Sequence, residues 1–103
     1  MTARRSMPPE SSPTVVALSG EIDLCTGDAV RRRLTAALCA GDRVVVVDLS
    51  RVTFCDAGGL GLLVAAHRRA RTQGVTLWFR GPGPRMTRLL NITGLRHSLP
   101  LMG

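Results

Sequence analysis

Val44-Val-Val-Val-Asp-Leu-Ser-Arg-Val-Thr-Phe-Cys-Asp-Ala-Gly-Gly-Leu-Gly61 is the stretch that decides the fold. Its first four residues are an unbroken β-branched run. Such side chains favour extended backbone, and a run without polar alternation reads as a strand buried on both faces. Asp48-Leu49-Ser50 is expected to turn the chain out at the strand's C-terminal end, with Arg51 to Cys55 forming a loop or short strand. Asp56 stands where a helix N-cap belongs, and a glycine-opened helix is expected to run from there to about Gln73. Leu60, Leu63, Val64 and His67 would make its inner face. Arg68, Arg69 and Arg71 crowd its last turn, where the helix dipole favours positive charge, and Gly74 ends it.

The flanking segments continue the alternation. Thr14 to Leu18 reads as a strand that Ser19-Gly20 ends, and Glu21-Ile22-Asp23 as a second short strand. Thr26 is expected to cap the next helix through its hydroxyl, with Asp28 at the positive end of the dipole. Val30, Leu34, Ala37 and Leu38 recur on one helical face, Arg31, Arg32 and Arg33 fall elsewhere, and Gly41 closes the helix. Beyond the second helix, Val75 to Phe79 reads as a strand and Gly81-Pro-Gly-Pro84 as a rigid loop. A short helix then runs through Asn91 to a stop at Gly94, and Leu95 to Leu101 packs as a terminal element. The order β, β, α, β, α, β, α contains two β-α-β crossovers. It predicts one α/β domain over 13–103 with a mixed central sheet of about four to five strands and helices mainly on one face. Residues 1–12, polar and proline-rich, are expected to form a flexible tail.

Composition narrows the function classes. The chain has 103 residues and 45% apolar content, enough for one compact core. Trp78, Phe54 and Phe79 are its only aromatic residues, which argues against a stacking platform for single-stranded nucleic acid. The net charge is +7 and every basic residue is Arg. That charge suits nucleic acid, an anionic membrane or an acidic protein partner, but an Arg-, Ala- and Gly-rich chain without Lys also reflects a GC-rich genome. Cys25, Cys39 and Cys55 stand far apart with no metal-binding spacing. Their odd number, without a signal peptide, points to reduced thiols and a cytoplasmic location. No apolar stretch approaches a membrane span. No metal or cofactor is expected, and no catalytic triad or acid–base pair marks an enzyme.

The segment Asp48 to Gly61 carries the sharpest chemistry. A helix N-terminus opened by glycines presents free N–H groups that favour an anion or carboxylate. Gly58, Gly59 and Gly61 also let a partner's surface, or the sheet itself, approach the backbone closely. Neither a phosphate-binding GxxxxGK[ST] loop nor a dinucleotide GxGxxG fingerprint is present.

Asp48-Leu-Ser-x-Val-x-Phe-x-Asp-x-x-Gly-Leu-Gly61 resembles the signature of STAS-domain anti-sigma factor antagonists. Leu18-Ser-Gly-Glu-Ile-Asp-Leu24 is similar to that family's Gly-Glu-x-Asp entry segment. Ala65-Ala-His-Arg-Arg-Ala70 resembles the end of its second helix, and Leu89-Leu-Asn-Ile-Thr-Gly-Leu95 its closing segment. The resemblance covers about residues 14 to 101, in order. It implies a protein that binds a serine-kinase-type anti-sigma factor and thereby frees a sigma factor. The binding surface it implies holds Asp23, Asp56, Ala57, Gly58, Gly59 and Leu60, with phosphorylation of one serine in that surface ending the contact.

The sequence departs from the family pattern at that position. Where the family has Asp, a small residue and then Ser or Thr, this chain reads Asp56-Ala57-Gly58. Neither Ala57 nor Gly58 offers a hydroxyl. Thr53 and Ser50 are the nearby hydroxyls, with ordinary loop or strand-end roles as the alternative. A constitutive antagonist, a partner that never phosphorylates this chain and a diverged scaffold all remain open. Asp23 is a candidate for partner contact or for loop structure, and His67 for a packed or surface histidine. A STAS-like cytoplasmic subunit of an ABC-type lipid transporter and a basic nucleic-acid-binding module are the competing readings. Under the first reading no DNA partner and no membrane insertion are expected, and the chain is a monomer or weak dimer.

Overall fold

The computed structural model describes residues 14–102, so the tail expected over 1–12 lies outside the described residues. Three strands and three helices alternate: β1 (Thr14–Ile22), α1 (Gly27–Leu38), β2 (Val44–Cys55), α2 (Ala57–Thr72), β3 (Thr76–Arg80) and α3 (Pro84–Thr93), followed by a 3-10 turn at Leu95–His97. The strands form one sheet in the order β1-β2-β3, and both pairings are parallel.

This corrects the expected mixed sheet of four to five strands: among the described residues there are three, all parallel. The difference lies in two places where a break was expected. Ser19-Gly20 does not end the first strand, and β1 continues through Ile22. Asp48-Leu49-Ser50 does not turn the chain out, and β2 continues through Cys55. Two irregularities absorb the mismatch, between Ala17 and Ser19 and between Gly20 and Glu21, and at each β2 carries one residue more than β1. Gly20 has φ 75°, a conformation that glycine adopts without strain and that suits a bulge. With no turn inside either segment, no hairpin forms among the described residues. Each strand reaches its neighbour through a helix, which makes the pairing parallel. The outer edge of β3 is met at one point only. Phe79 N–H donates to the Pro100 carbonyl (2.9 Å) and Met102 N–H to the Phe79 carbonyl (2.8 Å), forming an isolated bridge to Leu101.

The core lies on one face of the sheet. Val16, Leu18, Ile22, Val45, Val47, Leu49, Leu77 and Phe79 point into a single cluster with Val30, Leu34, Ala37 and Leu38 of α1, Leu60, Leu63, Ala66 and Ala70 of α2, and Met86 and Leu90 of α3. The α1 face is the one its spacing predicted. Helices therefore cover one face, as expected. Phe79 is fully buried, and burial of such a side chain is worth about 2–3 kcal/mol. On the opposite face Val46 is buried, while Val15, Ala17 and Val44 are exposed and Trp78 is half-buried.

Candidate functional site

The end of the sheet where β1 and β2 finish is built around Asp56. This residue is in extended conformation, and its carboxylate accepts a hydrogen bond from the Gly59 N–H at 2.7 Å, so it is the N-cap of α2. Its own N–H donates to the Ile22 carbonyl at 3.3 Å, tying the helix entry to the end of β1. Anion affinity at this helix start is thus partly met from within the chain, by the Asp56 side chain.

Three glycines follow, and they are not equivalent. Gly59 is buried against β1. A Cβ at Gly59 would fall inside the van der Waals shell of the Ile22 carbonyl oxygen and 2.8 Å from Ile22 Cγ2. Only glycine permits this approach of helix to strand. Gly58 is exposed, and a Cβ there would meet only Asp56 Oδ1, at an ordinary 3.4 Å. Gly61 is exposed, with open space around it. The helix geometry therefore leaves room for a side chain at Gly58 and none at Gly59.

The loop from β1 to α1 begins at the same place. Asp23 Oδ1 accepts from the N–H groups of Cys25 (2.9 Å) and Thr26 (3.1 Å), closing a tight turn. Thr26 precedes α1, but its hydroxyl makes no capping bond, contrary to expectation. It accepts from the Asp23 N–H (3.0 Å) and donates to the Glu21 carbonyl (2.8 Å). The Thr26 hydroxyl is instead engaged by the loop that Asp23 closes, so α1 starts without a side-chain cap.

The sequence-derived site residues thus separate. Asp23 and Asp56 hold the two turns. Ala57 and Gly58 are exposed in the first turn of α2, whereas Gly59 and Leu60 are buried and set the position of that turn. Ser50 and Thr53 are exposed on β2, Ser50 giving its N–H to Asp48 Oδ1 at 2.9 Å. That bond, the Ser50 hydroxyl and the Arg80 guanidinium hold the Asp48 carboxyl below its ordinary 3.8. Two large exposed apolar residues near this end were not singled out from the sequence. Leu24 is 94% exposed at the tip of the Asp23 turn, and Phe54 is 44% exposed on β2, paired with Glu21 of β1. An apolar residue following the Gly-Glu-x-Asp segment was the available signal for Leu24.

Among the described residues no group of three or more His, Cys, Asp or Glu side chains could hold a metal ion, and no helix is long and apolar enough to cross a membrane. Cys25 and Cys39 are exposed, and burial pushes the half-buried Cys55 thiol up to about 11.

A parallel three-stranded domain with helices on one face, whose second helix starts on a capped, exposed Ala-Gly turn, defines a class of small α/β domains. The chain belongs to the STAS-domain family: the family model described as "Mlab, STAS domain" matches residues 7–102. It is 33% identical over 84 residues to an anti-sigma-B factor antagonist of Staphylococcus aureus, covering 82% of this chain and 78% of that one. To the anti-sigma-B factor antagonist of Listeria monocytogenes it is 34% identical over 84 residues, covering 82% and 74%. A crystal structure of an anti-sigma factor antagonist from Mycobacterium paratuberculosis superimposes with a TM-score of 0.76 at 32% identity, covering 84% of this chain and 74% of that one.

Proposed function

We propose that this chain is an anti-sigma factor antagonist that binds a kinase-type anti-sigma factor through the surface around the start of α2, and that it is not switched by phosphorylation at the family position. The exposed turn at Gly58 carries this reading. Its cap and its glycine contact to Ile22 are intact, and it has space for a side chain, but it holds no hydroxyl. Ala57, Gly58, Leu24 and Phe54 supply the contact, with Asp23 and Asp56 fixing its shape. The names of the relatives favour this reading over a transporter subunit or a nucleic-acid binder. The protein acts in the cytoplasm as a binding protein rather than an enzyme, as a monomer or weak dimer.

The mechanism is steric and electrostatic. A phosphoryl group on this turn would place nearly two negative charges beside Asp56, inside the contact. Gly58 removes that possibility, so binding persists while the partner has ATP. The test is calorimetric titration against the kinase-fold anti-sigma proteins of the same genome, with and without ATP, followed by mass spectrometry of this chain. A complex unaffected by ATP, together with a Gly58→Ser variant that is phosphorylated and released, is the expected result. Failure to bind any such protein, or phosphate on Thr53 or Ser50 of the unaltered chain, would overturn the reading.

A further inference from the structure

Charge is segregated along the chain. All seven acidic residues precede Ala57, whereas residues 57–103 contain seven arginines and no Asp or Glu. Part of this basic half forms a concavity. A cleft of about 510 Å³ opens between the second half of α2 and the closing segment, lined by His67, Arg68 and Arg71 on one side and by His97 and Ser98 on the other. Its remaining lining is apolar, Leu99 among it. No acidic side chain lines it, and among the described residues neither Arg68 nor Arg71 has an acidic partner. His67 Nδ1 is buried there without a hydrogen-bond partner. The buried imidazole nitrogen without a partner is a cost to the fold, and the two exposed guanidiniums without an acidic partner leave the concavity positively charged.

We propose that this cleft binds a small phosphate-bearing anion. Donors approach it from two separate elements, which suits a tetrahedral group with oxygens in several directions better than a planar carboxylate. Arg68 and Arg71, three residues apart on α2, stand on one side of the helix and offer the fork geometry that matches phosphate oxygens. His97 and Ser98 line the other side, and the apolar lining accommodates the organic part of a phosphate ester. The site is distinct from the start of α2: Gly58 and His67 are nine residues apart, about 14 Å along the helix axis.

Proton uptake accompanies binding. Burial first, and Arg71 second, hold His67 below its ordinary 6.5, so the ring is neutral in the empty cleft at neutral pH. The charged or titratable groups lining the cleft around it are Arg68, Arg71 and His97. An anion there counters the arginines, including the Arg71 charge that helps to hold the ring neutral. Affinity therefore rises as pH falls below neutral, toward the range in which the ring takes up its proton.

Calorimetry and imidazole NMR on the full chain with inorganic pyrophosphate test this at physiological ionic strength. Saturable one-to-one binding is expected, weakened at least about tenfold by Arg71→Gln and by Arg68→Gln. It should be unchanged by Arg32→Gln on the exposed side of α1 and stronger at the lower pH. Both cleft arginines are exposed, so an unchanged Trp78 fluorescence unfolding midpoint shows that the variants fold. Non-saturable uptake, or equal weakening by Arg32→Gln, would mean general charge attraction and overturn the proposal. Tight binding of a hexaglutamate peptide with no binding of pyrophosphate would overturn it in favour of an acidic peptide.

Discussion

Adding one methyl group at Gly59 and at Gly58 should have opposite consequences, although the two residues are adjacent in the same helical turn. At Gly59 the new Cβ would overlap the Ile22 carbonyl oxygen, and it would sit 2.8 Å from Ile22 Cγ2. Backbone cannot rotate away as a flexible side chain would, so α2 must shift off β1. Such overpacking costs about 1–3 kcal/mol, and the shift also strains the Asp56 cap, itself worth about 1 kcal/mol. Gly59→Ala is therefore expected to lose about 2–4 kcal/mol. At Gly58 the Cβ meets only Asp56 Oδ1 at an ordinary distance, and the loss of backbone freedom in the unfolded chain stabilises by about 0.4–1 kcal/mol. Urea unfolding followed by the fluorescence of Trp78, the only tryptophan, resolves this. With a urea m-value of about 1–3 kcal/mol/M, the Gly59→Ala midpoint should fall by about 1 M or more, and the Gly58→Ala midpoint should hold or rise. Equal midpoints for the two variants would refute the claim that Gly59 marks a close backbone approach.

Three further outcomes follow from the titratable groups. Asp48 has a lowered folded-state pKa, so its contribution is present above 3.8 and is lost as pH falls through the folded value; Asp48→Asn should lower the unfolding midpoint at neutral pH, and the gap should close in acid. His67, also held low, makes the unfolded chain bind the extra proton, so stability is full above 6.5 and falls below it; thermal unfolding across that range should show a weaker pH dependence in His67→Gln. Thiol alkylation near pH 8 should label Cys25 and Cys39 rapidly, while Cys55, half-buried with its pKa near 11, reacts only as the protein unfolds.

Much of this was legible in the residues because the signals were local. The Val44–Val47 run, the Asp56 cap and the α1 face of Val30, Leu34, Ala37 and Leu38 each depend on neighbours within two turns. What was not legible depends on pairing. Ser19-Gly20 and Asp48-Leu49-Ser50 look like breaks when read alone, but paired with each other they become bulges within continuous strands. At the candidate site, sequence located the turn but did not separate its residues. Gly58 and Gly59 look alike until Ile22, more than thirty positions earlier, is placed against one of them. Leu24 and Phe54 were passed over because an exposed apolar residue is visible only once the core is known.

The all-parallel sheet also governs how the chain assembles. Thr14 pairs with Val45 and Val44 with Thr76, so each strand contact closes a loop of about thirty residues. Among the described residues no hairpin is available as a local seed. The search for the first strand pair is slow relative to helix formation, and α1 and α2 flicker before the sheet exists. Because β2 is the partner of both other strands, it is the natural nucleus. Mutations within Val45–Leu49 should slow refolding, whereas those in α3 should chiefly speed unfolding.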